Sequence, residues 1–171
     1  MTVFTHIPQA DFVAAIRTLA AALAADEWKP DFIIGVGRGG LAPAVFLSHA
    51  TGLPMLSVDY SSQVKDFADE PLVKLAGRTK AGERLLFLDD INDSGRTIAH
   101  LREKLAGSGA APGAIRFATL IDNVSSSQRV EYRARTIDRT VTKDWFIFPW
   151  EAVAPDLAIQ ADAAAVPERI A

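Results

Sequence analysis

The chain has 171 residues and 49% hydrophobic content, enough to bury the core of one compact domain. Its 18 basic and 21 acidic residues leave a net charge of −3, with no basic excess to suggest nucleic acid, and the absence of cysteine excludes disulfide and thiolate chemistry. No apolar stretch reaches membrane length, since Ala14–Ala25 is broken by Arg17 and Thr18, and Met1–Pro8 lacks the pattern of a signal peptide, so a soluble cytoplasmic protein is expected.

In chain order, Pro8 to Asp26 has helical spacing at Phe12, Ile16, Leu19 and Leu23. Asp31 to Val36 reads as a strand, Leu41 to Ala50 as a helix ending at Gly52, and Pro54 to Tyr60 as a second strand. Residues 61–81 are polar without a clean period, and their length suits a mobile lid. Leu85 to Asp89 is a third strand, followed by a helix from His100 to Ala106 and a turn cluster at 107–113. Ala114 to Asp122 is a fourth strand, Thr136 to Asp138 a short fifth, and Trp145 to Phe148 a short extended piece. The Ala-rich 155–171 suits a weak helix. Alternating strands and helices imply an α/β fold: a mostly parallel twisted sheet with helices on both faces. Neither a repeat nor an interdomain linker interrupts it, so residues 1–171 are read as one domain.

The stretch from Leu85 to Ile98 carries the chemistry. Four apolar residues run into Asp89, Asp90 and Asp93, then into the small polar turn Ser94-Gly95-Arg96-Thr97. Acids at the carboxyl end of a parallel strand lie where such sheets bind ligands. A turn that opens a helix offers unpaired N–H groups to an anion, and Ser, Thr and Arg add donors. Carboxylates beside a phosphate cradle suit a ligand with sugar hydroxyls next to a phosphate. Plainer readings exist. A P-loop ATPase strand needs an upstream G-x-x-x-x-G-K-[ST] that is absent. A calcium loop needs Glu where Leu101 stands. An ordinary strand with Asp93 or Ser94 capping the next helix is the plainest reading, and a second motif weighs against it.

Asp89-Asp90-Ile-Asn-Asp93-Ser-Gly-Arg-Thr97 resembles the phosphoribosyl pyrophosphate (PRPP) motif of the type I phosphoribosyltransferases. The resemblance implies that Asp89 and Asp90 hold the ribose hydroxyls, directly or through Mg²⁺. It implies that Asp93 lies near the reacting base and that Ser94, Gly95, Arg96 and Thr97 wrap the 5′-phosphate.

A second loop, Gly35-Val-Gly37-Arg38-Gly39-Gly40, follows a strand and opens a helix. It satisfies the dinucleotide fingerprint G-x-G-x-x-G, and Asp59 stands near the position of a ribose-binding acid, so an oxidoreductase is the rival reading. The fingerprint does not call for Arg38, and it leaves the acidic motif without a task. A tight turn alone explains the glycines but not the arginine. In the resembled family this loop binds pyrophosphate, and Gly37, Arg38, Gly39 and Gly40 match it.

The aromatic segment Asp144-Trp-Phe-Ile-Phe-Pro-Trp-Glu151 is similar to the Trp-x-x-x-Pro-Trp-(Asp/Glu) segment of the bacterial and archaeal xanthine–guanine or hypoxanthine branch. By that resemblance Trp145 and Phe146 contact the purine in a small hood, as stacking on a flat heterocycle would require. The same aromatics serve equally as core or dimer contacts. The branch usually has a lysine after the fourth strand; here Asn123 stands at about that place and brings no charge. The similarity spans about 31–151.

The implied reaction joins PRPP to a nucleobase with loss of pyrophosphate, the base being a 6-oxopurine (xanthine, guanine or hypoxanthine). Mg²⁺ is the implied cofactor, Arg38 and Asp93 the catalytic residues, and a homodimer or homotetramer the implied assembly. A lid including Tyr60, Ser61 and Ser62 would exclude water. A PRPP-sensing regulator that has lost transfer is the alternative.

Overall fold

The computed structural model describes residues 2–60 and 69–166. Its elements in chain order are β1 (Phe4–His6), α1 (Gln9–Ala25), β2 (Phe32–Val36), α2 (Gly37–Thr51), β3 (Met55–Val58) and α3 (Asp69–Lys80). They continue with β4 (Leu85–Asn92), α4 (Arg96–Gly107), β5 (Ile115–Asn123), β6 (Tyr132–Ile137), β7 (Trp145–Ile147), a 3₁₀ turn at Pro149–Glu151 and α5 (Asp156–Ala164).

The apolar run Leu85–Leu88 forms the centre, with every one of these side chains fully buried. A strand covered on both faces has no polar side to show, which is why the run is unbroken. Five parallel strands lie in the order β3-β2-β4-β5-β6. Alternation then divides the core. Ile33, Leu86, Leu88, Ala118 and Leu120 face Phe12, Ile16, Leu19 and Leu23 of α1 and Ala44 and Leu47 of α2. Ile34, Leu85, Phe87 and Phe117 face Leu72 and Leu75 of α3 and Ile98, Leu101 and Leu105 of α4. Helices therefore cover both faces, as expected.

The order reverses between β2 and β4: the chain leaves β2 toward β3, then returns on the other side as β4. Ligand crevices in open α/β sheets form at such a switch point, outside the carboxyl ends of the strands. The glycine loop follows β2 and the acidic motif ends β4, so both motifs lie at this crevice.

Four elements differ from expectation. Residues 69–80 are not lid but the helix α3, which buries Leu72, Leu75, Ala76 and Thr79 on one stripe. The period was present but diluted by surrounding charge. The remainder of the expected lid, including Ser61 and Ser62, lies outside the described residues. The glycine loop is itself the first turn of α2, although glycine disfavours helix. β6 begins at Tyr132, well before Thr136, because an edge strand with exposed Arg133 and Arg135 lacks an apolar run. Finally, β1 pairs in parallel with β7 as a separate two-stranded sheet, Phe4 opposite Trp145 and His6 opposite Ile147. Three residues are too few to show a period, so β1 is silent in the sequence.

Candidate active site

Gly37–Gly40 open α2 with no side-chain cap, so the first N–H groups of the helix point into the crevice unsatisfied by a cap. The loop and the acidic motif are in contact. A methyl group on Gly39 would lie 2.5 Å from Asp90 Oδ2, and one on Gly40 would lie 2.1 Å from the Leu88 carbonyl oxygen. Only glycine permits this approach. Asp90 shares the sheet face of Leu88 and so meets α2, whereas alternation turns Asp89 to the α3–α4 face. Both acids lie within β4, which runs on to Asn92, opposite Asp122 of β5. Arg38 is exposed, and its guanidinium lies 4.0 Å from Asp162 of α5.

The turn Ser94–Thr97 follows. Gly95 is the N-cap of α4 with φ of 88°, a left-handed conformation that a side chain would strain. A Cβ there would also lie 2.5 Å from Ser127 Oγ. Gly95 itself has no side chain to cap α4, and the Ser94 hydroxyl accepts the Arg96 N–H at 3.4 Å. The loop after β5 braces the turn: Ser127 donates from its backbone N–H (3.2 Å) and its hydroxyl (2.8 Å) to the Ser94 carbonyl. Arg96 is exposed, and its Nε lies 3.3 Å from Ser94 Oγ.

Beneath the turn, buried polar residues gather at the ends of β4, β5 and β6: Asn92, Asp93, Asp122, Asn123, Ser126 and Arg139. Burial of such groups is costly unless each is paired, and here they are paired with one another. The Asn92 amide donates to Asp122 (2.7 Å), and Ser126 donates to Asn92 (3.0 Å). Asn123 donates to the Asp93 carbonyl at 3.0 Å and accepts from the Ser125 hydroxyl at 3.0 Å. Its amide thus holds the turn that carries Asp93, a use that differs from the expected contact with a base. Arg139 grips the Asp93 carboxylate with Nε (3.0 and 3.1 Å) and Nη2 (2.8 Å). Arg139 is the residue of this cluster that sequence reasoning missed. Its signal was a basic residue just past the end of a strand, at the crevice end of the sheet.

Trp145 and Phe146 stand half-buried in β7. The Phe146 ring has the Arg135 guanidinium 4.9 Å and the Arg139 guanidinium 5.4 Å from its centre. Arg139 therefore touches both Asp93 and the aromatic segment. Phe148 and Trp150 stack on each other at 4.7 Å, and Trp150 meets Phe12 edge-on, which makes them core.

Glu151 lies within electrostatic reach of Asp90, Asp162 and Arg38. Burial pushes its carboxyl above the usual range; the Phe148 N–H opposes that shift, the Asp90 and Asp162 carboxylates add to it, and Arg38 opposes it. This end of the crevice is therefore rich in negative charge around one arginine. Among the described residues no three His, Cys, Asp or Glu side chains converge to hold a metal alone. One or two carboxylates that leave the remaining positions to water and phosphate are the donors Mg²⁺ ordinarily takes, so Asp89 and Asp90, on opposite faces of β4, each fit as a ligand of that ion.

A crevice with a glycine–arginine loop on one wall and an acid pair running into a phosphate-type turn on the other defines a class. The phosphoribosyl transferase domain family matches residues 7–155, and the chain belongs to it. Within that family it is similar to bacterial xanthine-guanine phosphoribosyltransferases. It is 31% identical over 144 residues to the one from Idiomarina loihiensis, covering 80% of each chain. It is 27% identical over 139 residues to the one from Gluconobacter oxydans, covering 79% of this chain and 77% of the relative. Among solved structures it resembles a purine phosphoribosyltransferase from Pyrococcus horikoshii, with a TM-score of 0.63 and 29% identity over 88% of this chain and 96% of that one. Family membership displaces the dinucleotide reading of Gly35–Gly40. No helix among the described residues is long and apolar enough to cross a membrane.

Proposed function

We propose that the protein is a purine phosphoribosyltransferase that joins the phosphoribosyl group of PRPP to a 6-oxopurine (xanthine, guanine or hypoxanthine) and releases pyrophosphate. The observation that carries this reading is the contact of Gly39 with Asp90, which brings the two motifs into one crevice. Similarity to xanthine-guanine phosphoribosyltransferases supports the choice of base class.

In this reading Arg38 and the N–H groups of residues 37–40 stabilise the departing pyrophosphate. Asp89 and Asp90 bind the ribose hydroxyls and would hold Mg²⁺, which supplies positive charge against the pyrophosphate oxygens. Ser94, Gly95, Arg96 and Thr97 bind the 5′-phosphate at the start of α4. Trp145 and Phe146 pack on the base, and Asp93 accepts its proton or orients it for attack on the anomeric carbon. The bond to pyrophosphate breaks as the bond to the ring nitrogen forms, through a transition state with positive charge on the sugar. Catalysis is then mainly positioning and charge stabilisation.

The test is calorimetry with PRPP and Mg²⁺, followed by pyrophosphate release with guanine, xanthine, hypoxanthine, adenine and uracil. PRPP binding with release on a 6-oxopurine is expected. PRPP binding with no release on any base would favour a sensor, and no PRPP binding would overturn the assignment.

A further inference from the structure

We infer that Arg139 is the positioning residue of the base end: one guanidinium sets the spacing between Asp93 and the Trp145–Phe146 segment, and so selects a base that bridges them. The inference rests on the proposed roles of Asp93 and of the aromatic pair.

Arg139 is only 8% exposed. A buried cation is retained only where its charge and hydrogen bonds are matched. One edge of the guanidinium, Nε and Nη2, is matched by the Asp93 carboxylate in a bidentate pair. The other arm, Nη1, donates to the Asp144 carbonyl at 2.7 Å and to the Thr142 carbonyl at 3.2 Å. Asp144 immediately precedes Trp145. A single rigid plane therefore joins the turn after β4 to the start of β7, and its face lies against Phe146. The fork geometry of arginine makes this link stiff, and an ammonium on a flexible stem cannot reproduce it. Asn123 reaches the same turn with a neutral amide. Arg139 is thus the side chain that bonds directly to both sides of the proposed base site. Misplacement of a reacting group by about 1 Å costs on the order of 100-fold in rate, so a loosened link should be read directly in kinetics.

The experiment compares wild type with Arg139→Lys, Arg139→Gln and Arg139→Ala. Each is assayed for PRPP affinity by calorimetry and for kcat and KM toward the purine that wild type accepts. The expected result is a loss on the order of 100-fold in kcat/KM for the purine with Arg139→Gln. It should appear in both KM and kcat while PRPP affinity is unchanged, and added guanidinium should restore part of the activity of Arg139→Ala. In an Asp93→Asn background, Arg139→Gln should lower kcat no further, because the two residues act as a unit. Unaltered purine kinetics in Arg139→Gln would overturn the inference while leaving the transferase reading intact. Parallel loss of PRPP affinity, with no rescue by guanidinium, would also overturn it, as the mark of a purely structural residue. Arg139→Lys keeps a buried cation and decides the question should the Gln variant fail to fold: full activity there would show that charge alone suffices. Wild type inactive on every purine would overturn the transferase reading and this inference together.

Discussion

Gly39 and the Asp90 carboxylate adjoin with no room for a methyl group between them: a Cβ on Gly39 would lie 2.5 Å from Oδ2 and 2.6 Å from Cγ. Asp90 can swing away from such a clash, but only by leaving the place where a ribose hydroxyl or Mg²⁺ would meet it. Gly39→Ala should therefore keep its fold by circular dichroism and weaken PRPP binding about tenfold, or 1.4 kcal/mol. Gly40→Ala differs, because the obstacle is the Leu88 carbonyl in the central strand, 2.1 Å away. That backbone cannot swing aside, and a loss of about 1–3 kcal/mol in urea unfolding is expected. Equal effects of the two substitutions on stability would contradict this division.

The Asp93–Arg139 pair is 2.8 Å apart with both side chains buried. Asp93→Asn should cut turnover strongly while leaving PRPP binding largely intact; a fully active variant would remove Asp93 from the mechanism. It should also leave a buried cation uncompensated and destabilise the protein by about 3 kcal/mol. The double variant Asp93→Asn with Arg139→Gln should recover part of that loss. Strictly additive losses in urea would show that the two charges are not coupled in solution.

Asp162 faces Arg38 at 4.0 Å across an exposed gap. In the proposed reading it would compete there with pyrophosphate and repel it. Asp162→Asn should lower KM for PRPP about twofold in low salt, as befits an exposed pair. The difference should shrink as ionic strength rises. A KM unmoved at low salt would mean that α5 does not influence the loop.

Two carboxyl groups should leave opposite marks on the pH dependence of stability. The Asp26 carboxyl is held below its ordinary value of 3.8 by the Trp28 N–H first, then by the Tyr132 hydroxyl and Arg116. Its stabilisation is present above that value and is lost as pH falls through the depressed pKa. Asp26→Asn should thus lower Tm at pH 7, with the gap closing in acid. Glu151 is raised above its ordinary value of 4.5, chiefly by burial. Its contribution is full below that value and is lost as pH rises through the raised pKa. Glu151→Gln should raise Tm at pH 7 and match wild type near pH 4. Tm differences that do not vary with pH would refute both assignments.

Much of this was legible in the chain, for identifiable reasons. Leu85–Leu88 announced a strand buried on both faces, and Phe12, Ile16, Leu19 and Leu23 announced α1, because burial imposes its period on sequence. The acids and small polar residues of 89–97 were legible because a phosphate crevice demands those types in that order. What escaped was non-local. The stripe of α3 is intact but interleaved in sequence with charged residues such as Lys74 and Arg78, so composition suggested a loop. The double use of Arg139 depends on two strands separated by β5, and the turn-holding bonds of Asn123 are invisible in one dimension. Strand β1 has meaning only through a partner at the far end of the chain.

That last pairing has a consequence for how the molecule assembles. The β1–β7 ribbon is three residues wide, and its side-chain tie, the Thr5 hydroxyl to the Asp144 carboxylate, spans 139 positions of sequence. Closing so long a loop gains few contacts against its entropy, so this ribbon should form late and open early. The PRPP-type crevice, built on the central β2 and β4, belongs to the most persistent part of the fold. In hydrogen exchange, the amides of Ile7 and Trp145, bonded across the ribbon to Ile147 and Val3, should lose protection well before those of Leu86 and Leu88. Early opening would then begin at β1, while Arg139 keeps the start of β7 tied to the Asp93 turn.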